Sequence, residues 1–233
     1  MTRRTQPDPI GFLTDVQTQR IGARTCLLTA VYHPDCYDPA LFEAADLPMP
    51  PRIARSIRKR QMEFLSGRLL AQTAQAQLGL TPQPIDIAES RAPVWPDGVT
   101  GSLSHARGRC AAILSTDTTH HFGIDCEAVV DGSALTAIQT QTLTEADKAF
   151  VTTASEATCL FSAKEAVFKA LHPQVGRFFG FDAAELAAPI GADSLTLRLT
   201  DDLNDGFRAG HLLEVHHQTL ESHVLTWLRV PAR

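Results

Sequence analysis

The sequence has no C-x-x-C pair. Its five cysteines, Cys26, Cys36, Cys110, Cys126 and Cys159, are odd in number and widely spaced. That speaks against a disulfide framework and a zinc site, and reduced thiols are the simplest account. No run approaches the roughly 18 apolar residues that a membrane span needs. No apolar core follows Met1-Thr2-Arg3-Arg4, so neither a membrane anchor nor a secretory leader is expected, and the expected location is cytoplasmic. An excess of positive charge is also missing. The net charge of −5 argues against a generic nucleic-acid binder. What is present is an ordinary globular composition, 44% apolar and 20% charged over 233 residues. A chain of this length can bury a sizeable core as one large domain or two small ones.

Residues 1–20 read as a loose arm, and Cys26–Tyr32 (CLLTAVY) as a buried strand. Residues 33–51, rich in Pro and Asp, predict a loop with a short helix at 40–45. Residues 52–80 predict one long helix stopped near Gly79. On it Arg52, Arg55, Arg58, Lys59, Arg60 and Arg68 stand against one acid, Glu63. Such a run is either a solvated face or a site for a phosphate-bearing ligand, whose oxygens match guanidinium geometry. Two close prolines make residues 91–98 (RAPVWPDG) an ordered loop, which leads to GSLSH at 101–105. Strands are expected at Cys110–Ser115 and Phe122–Glu127, helical segments over 128–160, and a helix at 161–171 (FSAKEAVFKAL). A loop at 173–180 follows, in which Phe178, Phe179 and Phe181 either join the core or receive a partner. Three antiparallel strands, Ser194–Leu199, His211–His217 and His223–Val230, finish the chain. Both halves run strands, a long helix, then more strands. FLSGR at 64–68 can be laid over LFSAK at 160–164, a hint of duplication between halves 1–118 and 119–233.

The chemistry-bearing residues cluster in the second half. Asp125 and Glu127 are two apart on an expected strand, so they share a face. Two such acids are either a solvated strand end or a seat for a hard cation such as magnesium, which takes oxygen ligands together with substrate phosphates. Glu165 and Lys169 are four apart on the helix. Alone they would be a surface ion pair, but with Asp125 and Glu127 upstream, Glu165 becomes a candidate third carboxylate. Lys164 and Lys169 would neutralise a pyrophosphate. Ser104 and His105 are adjacent on an extended segment and point to opposite faces. They suit phosphate-binding donors better than a nucleophilic pair.

The order of the motifs is specific. R-x-P-x-W-P-x-G-x-x-G-S-L-S-H at 91–105 precedes G-I-D-C-E at 123–127 and F-S-A-K-E-A-x-F-K-A-L at 161–171. Arg60, Phe64, Gly67 and Arg68 form an R-x-x-E-F-x-x-G-R segment upstream. Over roughly residues 50–185 the chain resembles the 4′-phosphopantetheinyl transferases, in the branch typified by enterobactin synthetase component D and the surfactin-type enzymes.

The resemblance implies an α+β fold of two similar halves related by a pseudo-twofold axis, with the ligand cleft between them and a single chain sufficing as a monomer. It implies transfer of the 4′-phosphopantetheine arm of coenzyme A to a serine of an apo acyl or peptidyl carrier protein, releasing 3′,5′-ADP. Magnesium would be held by Asp125, Glu127 and Glu165. Glu165 is the first candidate base and Glu127 the second, with Lys169 offsetting leaving-group charge. Coenzyme A would be bound by Arg52, Arg55, Arg60, Ser104, His105, Lys164 and Lys169. The branch is associated with siderophore and other secondary-metabolite assembly. The same residues could also serve a magnesium-dependent nucleotide-pyrophosphate hydrolase or a non-catalytic coenzyme A binding module.

Overall fold

The computed structural model describes residues 2–4 and 10–232. Part of the expected N-terminal arm, residues 1 and 5–9, lies outside them. The fold is α+β, and the chain divides into two compact units, Met1–Thr118 and Thr119–Arg233. Among the described residues no helix is long and apolar enough to cross a membrane.

The first unit contains β1 (Thr2–Arg4), β2 (Leu13–Arg20), β3 (Thr25–Tyr32), α1 (Leu41–Ala44), α2 (Pro51–Ala54) and α3 (Arg58–Gln77). It continues with β4 (Asp86–Ile87), β5 (Pro93–Val94), β6 (Thr100–Ala106) and β7 (Arg109–Ser115). Five strands form an antiparallel sheet in the order β1-β2-β3-β7-β6, while β4 and β5 pair only with each other. α3 lies against β3, β7 and β6. Leu65, Leu69, Leu70 and Ala74 on α3 join Cys26, Leu28, Ala112 and Leu114 in one core.

Three expectations change here. Residues 13–20 form a strand rather than part of a loose arm. Their apolar signal is weak, and pairing with β3 around a bulge near Asp15 stabilises them. The helix expected over 52–80 breaks at Arg55–Ile57, where Ile57 is extended and exposed. Helical charge spacing carried through this point in the sequence, but Gln61 Nε2 donates to both Ala54 O and Ser56 O and holds the break. The stretch expected as a loop at 91–98 contains the short strand β5, which pairs with β4, while the extended GSLSH segment is strand β6, paired residue for residue with β7. At the other end of α3, Gly79 has φ +79°, Leu80 N donates to Gln75 O and Gly79 N to Ala76 O, the glycine-terminated helix end anticipated from sequence.

The second unit contains β8 (His120–Ala128), α4 (Gly132–Gln141), α5 (Glu145–Lys148), α6 (Ala154–Val175), β9 (Ala184–Leu186), β10 (Ser194–Leu199), β11 (Leu212–Leu220) and β12 (His223–Pro231). Its antiparallel sheet has the order β8-β12-β11-β10-β9. α6 packs on β8 and β12 and buries Leu160, Val167 and Leu171 against Leu197, Val215 and Val224. The helix starts earlier than expected because Thr153 and Glu156 form a reciprocal cap at its N-terminus. It also runs through Pro173 to a Gly176 cap with φ +68°. A proline in the last turn costs only the bond to the carbonyl one turn back, so it did not end the helix.

Both units follow one path. A strand (β3 or β8) leads to a long helix, and the unit's last two strands (β6–β7 or β11–β12) form a hairpin. Its final strand pairs beside the pre-helix strand.

Candidate functional site

The first unit presents a basic cavity. Its α2–α3 break is held from two sides: Ser56 Oγ donates to Arg52 O, and Tyr37 Oη donates to the Gln61 side chain that reads the break. The resulting cavity of about 250 Å³ is lined by Arg52, Ile53, Ser56, Arg60, Ile87 and Arg91. Arg60 Nη1 donates to His105 Nε2 at 3.1 Å. In that arrangement a neutral His105 carries its proton on Nδ1, which faces Glu63 Oε1 at 3.7 Å. Glu63 also stands 3.7 Å from Arg60 and 3.8 Å from Lys59. The cavity therefore gathers three guanidinium groups and sits beside the Glu63 carboxylate.

The structure sorts the expected coenzyme-binding residues of this unit. Arg52 and Arg60 line the cavity. Arg55 does not, because its Nε is spent on Pro51 O one turn back. His105 joins through Arg60. Ser104 is buried and alternates to the opposite face of β6, away from the cavity lining. Arg91 and Ser56 were missed as site residues. Arg91 was visible in its motif, but nothing in the sequence showed that a loop arginine would return to α2.

The second unit holds the acids. β8 and α6 meet at Gly123, where a Cβ would collide with the Ala166 carbonyl oxygen of α6. Only glycine permits this main-chain approach. It brings the α6 side chains over the β8 face that carries Asp125 and Glu127. Asp125 is buried and fully engaged. Lys169 Nζ donates to its Oδ1 at 2.7 Å and Ser162 Oγ to its Oδ2 at 2.9 Å. Ser162 Oγ is also 2.9 Å from Thr226 Oγ1 on β12, so with its own proton on Asp125 it accepts from Thr226. Lys169 donates as well to Ile124 O. Glu165, half-buried, lies within electrostatic reach. Burial pushes its carboxyl above the usual carboxylate range, Lys169 opposes this, and the charge of Asp125 adds to it. Glu127 is half-buried two residues beyond Asp125.

Among the described residues no three His, Cys, Asp or Glu side chains form a ready cage for a metal ion. The donor set nonetheless fits a hard cation. It consists of carboxylate oxygens on β8 and α6, the hard ligands such an ion takes, and burial together with the charge of Asp125 raises the Glu165 carboxyl while Lys169 opposes it.

Lys164 is a correction. Expected beside the coenzyme, it is instead an interior strut: its side chain is 2% exposed, with Nζ 2.6 Å from the fully buried Asp147 carboxylate. Nζ also donates to Thr142 O. Asp147 accepts from Thr144 N and Leu186 N as well, tying α5 and β9 to α6. Sequence reasoning missed Asp147. It lies 17 residues before Lys164 on a separate short helix, a distance at which no helical spacing links the two.

An aromatic ridge borders Glu165. Phe161 and Phe168 flank it at helical spacing on α6, Phe181 packs on Phe161 at 5.5 Å, and Phe178 and Phe179 pack on Phe168 at 5.7 and 5.0 Å. Phe178 is 78% exposed, so it is surface and not core.

Comparison with known proteins agrees with this layout. Residues 49–115 match the 4′-phosphopantetheinyl transferase N-terminal domain, and residues 121–227 match the 4′-phosphopantetheinyl transferase superfamily. The chain is 36% identical over 155 residues to 4′-phosphopantetheinyl transferase Svp of Streptomyces mobaraensis, covering 63% of this chain and 62% of that one. It is 38% identical over 144 residues to 4′-phosphopantetheinyl transferase PptT of Mycobacterium tuberculosis, covering 58% and 62%. The match thus spans under two thirds of the length of these two relatives. With enterobactin synthase component D of Salmonella typhi the identity is 31% over 172 residues, 70% of each chain. The chain belongs to the 4′-phosphopantetheinyl transferase superfamily.

Proposed function

We propose that the chain transfers the 4′-phosphopantetheine group of coenzyme A to a serine of an apo acyl or peptidyl carrier protein, releasing 3′,5′-ADP, in a magnesium-dependent reaction. The observation that carries this reading is the acid site on β8 and α6. Asp125, Glu165 and Lys169 are held together by a glycine-mediated main-chain contact in a chain of this family. Coenzyme A has two anionic parts. The Arg52–Arg60–Arg91 cavity suits the 3′-phosphate, with His105 steadying Arg60. The second unit's acids and lysine suit the pyrophosphate.

Magnesium would be held by Asp125, Glu127 and Glu165 and would supply charge neutralisation at the pyrophosphate. The carrier serine hydroxyl attacks the β-phosphorus. The bond to the bridging oxygen breaks, its electron pair leaves with 3′,5′-ADP, and the serine proton passes to a carboxylate. Glu165, half-buried on α6, is the first candidate acceptor, directly or through a water. Glu127 is second. Lys169 offsets charge on the departing diphosphate. The aromatic ridge beside Glu165 offers an apolar wall for the arm being moved. A single chain would suffice, working in the cytoplasm, and the kinship to an enterobactin synthase component points to carriers of siderophore or other secondary-metabolite assembly.

One mass spectrum tests the reading. The protein is incubated with coenzyme A, magnesium and an apo carrier, and the carrier should gain the mass of one phosphopantetheine. Coenzyme A cleaved without any carrier would make the protein a pyrophosphate hydrolase. Intact coenzyme A and an unchanged carrier would make it a binding module.

A further inference from the structure

The basic cavity owes part of its wall to an element that cannot hold itself. β4 and β5 share only the pairs Asp86↔Val94 and Ile87↔Pro93 and belong to neither five-stranded sheet. A two-stranded ribbon is marginal in water on its own. Yet its turn carries Arg91, at φ +72°, and its first strand carries Ile87, both into the cavity lining. Arg91 N donates to Ala88 O and Ala88 N to Ala92 O, which closes the turn but does not fix it to the rest of the unit.

Ile85, Ile87 and Trp95 pack on the core of the unit, and the polar fixing comes from α3. Arg68 Nε donates to Ile85 O at 2.7 Å and its Nη2 to Asp86 O at 3.2 Å. The guanidinium lies over the Phe64 ring, 4.3 Å from its centroid, and Arg68 is 7% exposed. Two turns on, buried Gln75 pairs with both main-chain groups of Gln83. Arg68 does not itself line the cavity. A planar fork can reach two successive carbonyls at once, whereas an ammonium offers one point charge.

We infer that Arg68 is a positioning residue. By gripping Ile85 and Asp86 it sets where the β4–β5 hairpin holds Arg91 against Arg52 and Arg60, and hence how strongly the cavity binds a phosphomonoester. The last step rests on the reading that this cavity takes the 3′-phosphate.

The test compares equilibrium binding of adenosine 3′,5′-bisphosphate and adenosine 5′-monophosphate in the wild type, Arg68→Met, Arg68→Lys and Leu70→Ala. Leu70→Ala weakens the same helix's core without touching the hairpin. In both Arg68 variants the bisphosphate should bind about tenfold more weakly, the scale of losing charge-assisted hydrogen bonds, with the monophosphate unchanged. Amide hydrogen exchange should quicken across residues 86–94. Leu70→Ala should keep the wild-type preference. An unchanged preference in folded Arg68→Met, or an equal loss in Leu70→Ala, overturns the inference. Should Arg68→Met not fold, Arg68→Lys, which keeps stem and charge, decides by the same two readouts. If the wild type shows no preference for the bisphosphate, the 3′-phosphate reading fails. Exchange at 86–94 then decides alone whether Arg68 anchors the hairpin: faster exchange supports it and unaltered exchange refutes it.

Discussion

Arg68 and Lys164 occupy matching positions on the long helices of two units that run the same path, and both are buried cations two residues after a buried serine. Their partners differ. Lys164 meets a carboxylate, Asp147, whereas Arg68 meets only carbonyls and a ring face. A guanidinium is weakly hydrated and spreads its charge over a plane, so it tolerates neutral company, while a compact ammonium needs an opposite charge. Burial lowers both titrations, that of Arg68 to about 10, and for Lys164 the bond to Asp147 works against the fall. The serines diverge too. Ser66 donates back to Glu63 O in its own helix, whereas Ser162 reaches across to Asp125. Where α6 has Glu165 and Lys169, α3 has Leu69 and Thr73. At these overlaid positions the helix of the second unit carries an acid and a lysine, and that of the first carries an apolar and a neutral polar residue.

Five measurements would break or sharpen that contrast. The largest effect is expected from Asp125→Ala, which removes the acceptor shared by Lys169 and Ser162. Carrier loading should fall by about 10³-fold or more while the near-ultraviolet circular dichroism stays native. Normal loading would remove the second unit from the chemistry.

Next come the two cations. Lys164→Met strands the Asp147 charge and should cost about 3–5 kcal/mol in urea denaturation, with a good part returning when Asp147→Asn is added. Arg68→Met strands only carbonyls and should cost about 1–3 kcal/mol. Equal losses would mean that the partner's charge does not matter.

Third, the glycines should separate the units. Gly123→Ala drives a methyl into the α6 backbone and should destabilise by about 3 kcal/mol. Gly67→Ala meets Leu103 at an ordinary 3.7 Å and should be neutral or stabilising by about 0.5–1 kcal/mol, because alanine is the better helix former. Fourth, Glu165→Gln should leave the melting temperature at neutral pH no lower than that of the wild type, while carrier loading should stop. Its folded pKa is raised, so the charged form costs stability above the unfolded value. A lower melting temperature would make Glu165 structural. The smallest effect is at the start of α6. Glu156 is held below its usual 4.5, chiefly by hydrogen bonds from Thr152. Its contribution is therefore present above the unfolded pKa and lost as pH falls through the folded one. Thr153→Ala should remove about 1 kcal/mol of cap, and Glu156→Gln should flatten the acid limb of the stability curve.

Much of this was legible in the sequence. The α6 apolar stripe, the three closing strands and the G-I-D-C-E strand follow from periodicity, because each buries one face of a regular element. The acids and Lys169 follow from spacing within one unit. What stayed hidden depends on contacts between distant segments. β2 is a strand because β3 pairs with it. The α2–α3 break exists because Gln61 and Tyr37 hold it. Arg91 reaches the cavity because Arg68 grips the chain ahead of it. Lys164 left the expected site because Asp147, in another helix, claims it. Charge on a helix is visible from sequence, but which charge is turned inward is decided by a partner that spacing does not reveal.

The contact at Gly123 has a consequence for how this protein tolerates change. Because α6 touches β8 through backbone, the spacing of Glu165 from Asp125 is referenced to the main chain and not to a layer of interchangeable side chains. Conservative swaps among Val167, Leu171, Leu197 and Val215 should then alter melting temperature far more than turnover. The second unit can drift widely in core composition while its charged residues keep register, provided that residue 123 stays glycine.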